Sequence, residues 1–362
     1  MRTVRVRRAL AAFATAVLAS SDARPLDTPQ ARDPLADEIA RWTAFLSTDK
    51  GSAAMWEDVK KASGPVLARA DEARRDGRRL LAIQRLAAAR EGLAASQYIF
   101  SLEGQERNDR ERFEAEWRAV GERLRADLAP PAADALAGLA PLALRAIGEA
   151  SLPQVRIYYE ASLDYGRSTV FDAGLYYIGS ALAQRELPGL LKSLADPMPA
   201  APLAQRSLEP ELRELESEIL AAYRPPASID RHVDFIRASA AVKEARELDT
   251  LGLRHGALLR YLQGAQRFAP VRASGSTAPL EPGLAEYDAR LREGGRDHTI
   301  GRLFLETAQA LASPGDGTDP AAARAIVESV LPRYFAALEP RAPLAGPPAA
   351  RATVTLVRWP YT

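Results

Sequence analysis

The sequence predicts an all-α protein in which antiparallel helical hairpins form a bundle or a short superhelix, followed by an extended C-terminal tail. Apolar residues recur at alternating spacings of three and four over much of the chain, which is the pattern of amphipathic helices. Glycine or proline separates the helical segments, and only the last nine residues resemble a strand. The chain contains no cysteine, so helix packing without disulfides must stabilise the fold.

The first 23 residues have the organisation of a secretory signal peptide. Met1–Arg8 carries four arginines, residues 9–20 are almost entirely apolar, and small residues precede a cleavage position after Ser21 or Ala23. The apolar core of about 12 residues is too short for the roughly 20 residues that span a bilayer. We therefore expect Sec-type export to the periplasm or the medium, and a mature chain without a transmembrane anchor.

Four helices are expected in an N-terminal region that covers residues 24–129. Asp33-Pro34 supplies an N-cap followed by proline at the first helical position, and Pro130-Pro131 ends the region. The third helix has the clearest apolar stripe, which contains Ala82, Leu86, Ala89, Leu93, Ser96 and Phe100. The other three helices run approximately over residues 34–46, 52–75 and 109–128.

A second helical region is expected over residues 130–340. Its first three helices cover about residues 132–149, 153–166 and 170–186, and a proline-rich excursion follows at 188–210. Further helices are expected at about 211–223, at 228–268 with a break near Gly252 and Gly256, at 298–312, and from Asp319-Pro320 onward with a kink at Pro332. Residues 341–362 form a Pro/Ala linker and a short tail, in which Thr353–Val357 alternates like a strand.

Tyrosines are concentrated in the middle of the chain, where five of the eleven lie within 20 residues. Two interpretations of this cluster stay open. The rings are either core residues whose hydroxyls are satisfied at the edge of the core, or hot spots that line a binding groove. Because the second interpretation gives them a function, four of them are candidate binding residues: Tyr158, Tyr165, Tyr176 and Tyr177.

The segment Leu175-x-x-Ile178-Gly179-x-x-Leu182 resembles the tetratricopeptide repeat, in which the corresponding pattern is W-x2-L-G-x2-Y. Leucine stands at both aromatic positions of that pattern, and no proline closes the preceding unit. The resemblance covers about residues 132–187. It implies a stack of helix-turn-helix units with a concave surface that binds a protein or peptide. Gly179 is also small enough for a neighbouring helix to approach closely.

Two further residues are candidates for binding. His255 lies on an apolar helix stripe, where it is either a hydrogen-bonded core histidine or a buried general base or ligand. Trp359 lies in the strand-like tail. That tail either packs back onto the helices, adds a strand to a partner's sheet, or is disordered.

The sequence lacks the common motifs of catalysis. Without cysteine there is no thiolate or cysteine–zinc chemistry, and the three histidines are spread over 67 residues without HExxH spacing. Ser47-Thr48-Asp49-Lys50 matches the S-x-x-K pattern of penicillin-interacting enzymes, but no KTG or SDN element accompanies it. No G-x-S-x-G, Walker or G-x-G-x-x-G pattern occurs. We therefore expect no metal, no cofactor and no catalytic residue.

The charge distribution argues against a nucleic-acid partner. Removal of the signal peptide leaves 44 basic and 46 acidic residues, and the arginine runs at 74–79 and 107–112 contain no aromatic residue. We therefore expect an exported, non-enzymatic helical-repeat protein that acts as an adaptor for a protein or peptide in the cell envelope. Two alternatives stay open: a small-ligand receptor or helical enzyme with an internal pocket near His255, and an envelope assembly subunit that docks through its C-terminal tail.

Overall fold

The computed structural model describes residues 33–48, 54–102, 109–195, 206–225, 228–271, 279–314 and 317–339. These residues form helices joined by turns and contain no strand, which confirms the all-α class. None of their helices is both long and apolar enough to cross a bilayer. The expected signal peptide and the expected linker and tail lie outside the described residues.

The helices fall into two compact units. Unit 1 comprises Met1–Arg118 and Ala161–Leu194, and unit 2 comprises Ala119–Glu160 and Ala195–Thr362. The chain therefore passes from unit 1 to unit 2, returns, and then completes unit 2. The boundary expected near Pro130 does not coincide with this division, because the second stretch of unit 1 comes later in the chain.

Unit 1 begins with the helix that Asp33-Pro34 predicts. The Asp33 carboxylate accepts a hydrogen bond from the Leu35 amide at 3.1 Å, which makes Asp33 an N-cap. Two later helices, α4 and α5, cross the boundary between the units. The helices up to the end of unit 1 are α1 (Pro34–Leu46), α2 (Ala54–Arg75), α3 (Arg79–Ser101), α4 (Arg110–Leu124), α5 (Leu142–Arg167) and α6 (Phe171–Leu194).

The core of unit 1 is built around two tryptophans and the apolar stripe of α3. Trp42 and Trp56 are fully buried, and Phe45 packs edge-on against both, with ring centroids 5.7 and 5.3 Å apart. The predicted stripe of α3 is buried from Ala82 to Ser96 and half-buried at its last member. Burial of each large apolar side chain contributes about 1.5–3 kcal/mol to stability.

A glycine allows α6 to lie close to α3. A Cβ atom at Gly179 would lie 2.8 Å from Cα and 2.9 Å from the carbonyl oxygen of Ala95, which is closer than real Cβ atoms come. The missing side chain therefore lets the two helix backbones approach each other. Arg90 of α3 is buried against α6, where it donates to the Ala183 carbonyl at 2.6 Å and pairs with Glu186 at 2.8 Å.

Proline lies inside three of the described helices and does not end them: Pro65 in α2, Pro153 in α5 and Pro188 in α6. α5 continues through Pro153, and α6 continues through Pro188 to Leu194. The expected division of α5 into two helices is therefore wrong, and so is the expected start of the excursion at residue 188. An internal proline costs a helix about 3 kcal/mol or more. Burial of Leu187 and Leu191 on either side of Pro188 offsets this cost in α6.

Unit 2 contains the remaining helices. The break expected near Gly252 is present, because Gly252 adopts φ +78° after the last turn of α8, whereas Gly256 lies inside α9. The helix α10 was not predicted, since only Leu291 on it is buried and it has no clear apolar stripe. The helices are α7 (Glu209–Ala222), α8 (His232–Thr250), α9 (Arg254–Phe268), α10 (Glu281–Arg292), α11 (Thr299–Ala312), α12 (Pro320–Ala325) and α13 (Leu331–Leu338).

A π-helical segment, Ile326–Val330, joins α12 to α13 immediately before Pro332. Proline has no amide hydrogen, and its ring crowds the carbonyl group one turn earlier. The wider π turn changes the helical winding at this point. The π-helical turn therefore lies next to Pro332, where the sequence predicts a kink.

Asp297 caps two helices of unit 2. Its carboxylate accepts hydrogen bonds from the Thr299 amide at 3.0 Å, at the start of α11, and from the Leu142 amide at 2.8 Å, at the start of α5. These amides have no partner within their own helices. The helix expected from residue 132 therefore begins at Leu142, where this distant carboxylate supplies the cap, and residues 133–138 form turns.

Candidate functional site

A surface pocket of about 450 Å³ in unit 1 contains three of the candidate tyrosines, and we name it the tyrosine pocket. One wall is a face of α2. The other wall is the end of α5, the turn that follows it, and the first two turns of α6. The lining residues are Asp58, Val59, Ala62, Ser63, Tyr165, Val170, Asp172, Ala173, Tyr176 and Tyr177.

Helical periodicity explains which side chains face the tyrosine pocket. On α6, Asp172 and Tyr176 are four residues apart, and Ala173 and Tyr177 repeat that spacing, so all four lie on one face. The opposite faces of α6 carry the buried residues that pack against the rest of unit 1, such as Ile178. The pocket is therefore a consequence of how the amphipathic α6 is oriented.

Aromatic rings form one wall of the pocket. The rings of Tyr165 and Tyr177 are stacked, with centroids 4.8 Å apart and an interplanar angle of 16°. Tyr176 lies edge-on to Tyr177, at 6.1 Å and 84°. Such ring pairs contribute about 0.5–1.5 kcal/mol beyond their burial. The contacts hold the aromatic wall in place before any ligand binds.

The hydroxyl of Tyr176 reaches α3 because a glycine leaves room for it. A Cβ atom at Gly92 would lie 3.1 Å from that hydroxyl and 3.3 Å from Oγ of Ser63. Burial and, to a smaller extent, the negative charge of Glu91 raise the pKa of Tyr176. Tyr176 therefore stays neutral and forms the floor of the pocket.

Tyr177 is held in its neutral form by its neighbour. A hydrogen bond with Tyr165, together with burial, raises the pKa of Tyr177 to about 12. The Tyr177 hydroxyl is therefore neutral at physiological pH and can both donate and accept hydrogen bonds.

The turn between α5 and α6 contains a strained residue. Thr169 adopts φ +60°, in the left-handed region that β-branched residues rarely occupy. The Val170 amide donates to the Tyr165 carbonyl at 3.0 Å and the Thr169 amide to the Gly166 carbonyl at 3.1 Å, which is the Schellman pattern. This turn fixes the chain that carries Tyr165 and Val170, whose side chains are 37% and 43% exposed.

The structure places His255 in a buried charged cluster of unit 2. Its Nδ1 lies 3.4 Å from Oε1 of Glu149, and the same oxygen accepts a hydrogen bond from Arg145 Nε at 2.7 Å. Oε2 of Glu149 accepts the Gly256 amide at 2.8 Å, in the first turn of α9. Within the described part of the chain, Nε2 of His255 is buried and has no hydrogen-bond partner.

Glu149 acts as the cap of α9, because the N-cap residue Leu253 provides no side-chain acceptor. Burial acts to raise the pKa of Glu149, but hydrogen bonds with His255, the Gly256 amide and Arg145 outweigh it and hold the pKa below 4.5. This geometry is that of a helix-capping cluster. Across the described residues, no group of three or more histidine, aspartate or glutamate side chains is arranged to hold a metal ion.

The other candidate residues are not part of the tyrosine pocket. Tyr158 is half-buried on α5 and does not line it. Trp359 lies outside the described residues. Sequence reasoning missed the α2 wall, including Asp58 and Val59, and it missed Asp172 on α6. No motif marks these residues, since the helical pattern of α2 indicates only which of its side chains are buried.

A smaller and more polar pocket, of about 290 Å³, lies in unit 2 beside the π-helical segment. Arg333, which lines it, is already engaged: its Nη2 lies 2.8 and 2.7 Å from the two carboxylate oxygens of Glu218, and its Nη1 donates to the Tyr261 hydroxyl at 3.3 Å. Glu211 on the same lining pairs with Arg206 at 2.5 Å. Arg333 and Glu211 therefore already have charged partners within the protein.

Comparisons with known proteins returned no match. No protein-family model matches the chain, and no curated protein or solved structure does. The resemblance to the tetratricopeptide repeat therefore stays a prediction.

Proposed function

We propose that this protein is a non-enzymatic binding protein of the cell envelope that holds a protein or peptide partner in the tyrosine pocket. The observation that carries the proposal is that Tyr165, in the aromatic wall, and Val170 beside it stay exposed at a concave, mainly apolar site. Single exposed apolar side chains are ordinary on protein surfaces. Apolar side chains gathered in a concavity are typical of a binding site.

Tyrosine suits this role for a physical reason. Its ring offers a large, rigid contact area at little cost in conformational entropy, and its hydroxyl can still form hydrogen bonds. The stacking of Tyr165 on Tyr177 removes further freedom before binding. A preorganised wall of this kind lowers the entropic cost of holding a partner.

The location and the adaptor role rest on the sequence. The arginine-rich start and short apolar core of the first 23 residues support export, and the resemblance to the tetratricopeptide repeat supports binding of a peptide or protein. A small-ligand receptor or enzyme built around His255 has less support. Nδ1 of His255 faces Glu149, and His255 lines none of the three described pockets.

The proposal is tested by selecting peptides from a random display library against the mature protein and measuring their dissociation constants. We expect Tyr165→Ala and Tyr177→Ala each to weaken binding about 30-fold, as aromatic hot spots of about 2 kcal/mol do. The control is Tyr158→Ala, on the same helix as Tyr165 but outside the pocket, which should stay within about twofold of the parent.

Circular dichroism establishes that each variant is folded before its binding is measured. Peptides that bind Tyr165→Ala and Tyr177→Ala as tightly as the parent would overturn the proposal. The same conclusion follows if a library of adequate diversity gives no binder. A dissociation constant that responds to Tyr158→Ala instead would move the site away from the tyrosine pocket.

A further inference from the structure

Two carboxylates of the tyrosine pocket have no cationic partner among the residues that the structure describes. Asp58 on α2 and Asp172 on α6 line its two walls, and both are exposed. Asp172 accepts a hydrogen bond from the amide of Ala173 at 2.8 Å, which is a local contact at the start of α6. Among the described side chains, no arginine, lysine or histidine lies within ion-pair distance of either carboxylate. These two aspartates are also the only lining residues that are charged at neutral pH.

Two carboxylates that lie near the pocket in the sequence, but do not line it, are paired. Glu57, which precedes Asp58, lies 3.0 Å from Lys60, and Asp164, which precedes Tyr165, lies 3.6 Å from Arg167. Glu57 and Asp164, which lie outside the lining, therefore have cationic partners on their own helices. The negative charge inside the pocket is left without a counter-charge from the described protein.

The rest of the pocket also favours a positive charge. The faces of aromatic rings carry negative potential and attract cations, and Tyr165 offers an accessible ring. Glu91 lies behind the aromatic wall, where its charge contributes to raising the pKa of Tyr176 and Tyr177. The two carboxylates, the ring faces and this third acidic residue therefore all favour a positively charged ligand.

We propose that the tyrosine pocket receives an arginine side chain of the partner peptide, an inference that rests on the function proposed above. The guanidinium faces Asp58 and Asp172, and the apolar stem lies along Tyr165 and Val170. Arginine fits better than lysine because its planar guanidinium both stacks on aromatic rings and offers several N–H donors to carboxylates. A lysine ammonium is a compact charge that pairs less specifically.

The inference is tested with one peptide from the display selection, synthesised with arginine, lysine or the neutral isostere citrulline at the anchoring position. Each peptide is titrated against the parent protein, Asp58→Asn and Asp172→Asn, and against Asp164→Asn as the control. Asp164 is exposed like the two pocket aspartates but lies outside the lining. Substitution by asparagine removes charge while it keeps size, so the fold is not at risk.

We expect arginine to be enriched among the selected peptides. Each pocket variant should weaken the arginine peptide about fivefold, and Asp164→Asn should change its binding less than about twofold. The citrulline peptide should bind more weakly to the parent and should lose its sensitivity to both pocket variants, as a double-mutant cycle measures. Added salt should weaken the arginine peptide more than the citrulline peptide.

The inference is overturned if citrulline binds as tightly as arginine, or if both asparagine variants bind the arginine peptide unchanged. In that case, peptides that still depend on Tyr165 and Tyr177 would leave the proposed function intact and remove only the requirement for arginine. Peptides that respond to neither the tyrosines nor the aspartates would overturn the proposed function as well.

Discussion

Single buried carboxylates decide where several helices of this protein begin. The first amides of a helix have no partner within it, so each needs an acceptor from elsewhere. Glu149 supplies one for α9, where Leu253 has no acceptor to offer, and Asp297 supplies one each for α5 and α11. Both carboxylates are at least 96% buried, so each charge depends on the hydrogen bonds around it.

Glu149→Gln should lower the free energy of unfolding at pH 7 by about 3 kcal/mol, because it removes the charge that Arg145 and the start of α9 require. The pKa of Glu149 is held below its ordinary value of 4.5 in the folded protein. Its stabilising charge is therefore present above pH 4.5 and is lost as the pH falls through the lowered pKa. Urea unfolding at a series of pH values measures this loss.

The matched control is Glu160→Gln, on the same helix but exposed, which should change the free energy of unfolding by less than about 0.5 kcal/mol. The difference between Glu149→Gln and the parent should narrow below pH 4.5, where the parent also loses the charge. A difference that is equally large at pH 7 and at low pH would show that the charge of Glu149 contributes nothing.

Tyr165→Phe should lower the pKa of Tyr177 from about 12 towards its ordinary value of 10, because phenylalanine keeps the stacked ring but removes the hydrogen bond. Since the folded state raises this pKa, the associated stability is present below pH 10 and is lost as the pH rises through about 12. Titration of ring-labelled tyrosine by NMR measures the pKa. Tyr158→Phe is the control, and an unchanged pKa in Tyr165→Phe would contradict the hydrogen bond.

At the scale of helices and turns, two Schellman motifs carry different residues at the left-handed position. Gly77 between α2 and α3 adopts φ +76°, and Thr169 between α5 and α6 adopts φ +60°. Only glycine takes this conformation without steric cost. The turn between α5 and α6, next to the aromatic wall, is therefore strained, whereas the turn between α2 and α3 is not.

Thr169→Gly should raise the free energy of unfolding by about 1 kcal/mol, because glycine relieves the left-handed strain of a β-branched residue. Gly77→Ala is the matched reversal and should lower it by about 1 kcal/mol, since nothing lies within 4 Å of the added Cβ and only backbone strain changes. Thermal and urea unfolding measure both values. A loss of stability in Thr169→Gly would show that the threonine side chain makes a stabilising contact.

Gly179→Ala should lower the free energy of unfolding by about 1–3 kcal/mol, because the added Cβ would meet the backbone of Ala95 on α3. Gly189→Ala, on the same helix, is the matched control. Nothing lies within 4 Å of its added Cβ, so it should stabilise α6 by about 0.5–1 kcal/mol through helix propensity alone. Equal effects at the two positions would contradict the close approach of α3 and α6.

For the whole molecule, the proposed location is open to a direct test. Expression of the full chain should give a periplasmic or secreted product whose first residue is Asp22 or Arg24, as mass spectrometry of the intact protein would show. Leu18→Arg should block this processing, because a charge would interrupt the apolar core of the proposed signal peptide. Ala23→Ser, which keeps a small residue, is the control. Retention of Met1 in the exported fraction would contradict the signal-peptide assignment.

The sequence predicts the all-α class because helical periodicity and proline or glycine positions are local properties. Such local patterns predict the N-cap at Asp33, the buried stripe of α3 and the break at Gly252. The prediction was wrong where long-range contacts outweigh local preference. Packing carries α5 through Pro153 and α6 through Pro188, and Asp297 sets the start of α5 from a distant part of the chain.

Local sequence patterns also predict only part of the candidate site, as the tyrosine-rich segment shows. Its composition marks four tyrosines as candidate binding residues, and three of them, Tyr165, Tyr176 and Tyr177, line the tyrosine pocket, whereas Tyr158 does not. Their grouping with Asp58 depends on α2 packing beside α6, which no local pattern specifies. Local periodicity thus accounts for the helices and their apolar faces. The pocket, and its negative charge without a partner among the described residues, arise from contacts between residues far apart in the chain, because burial and electrostatics act through space.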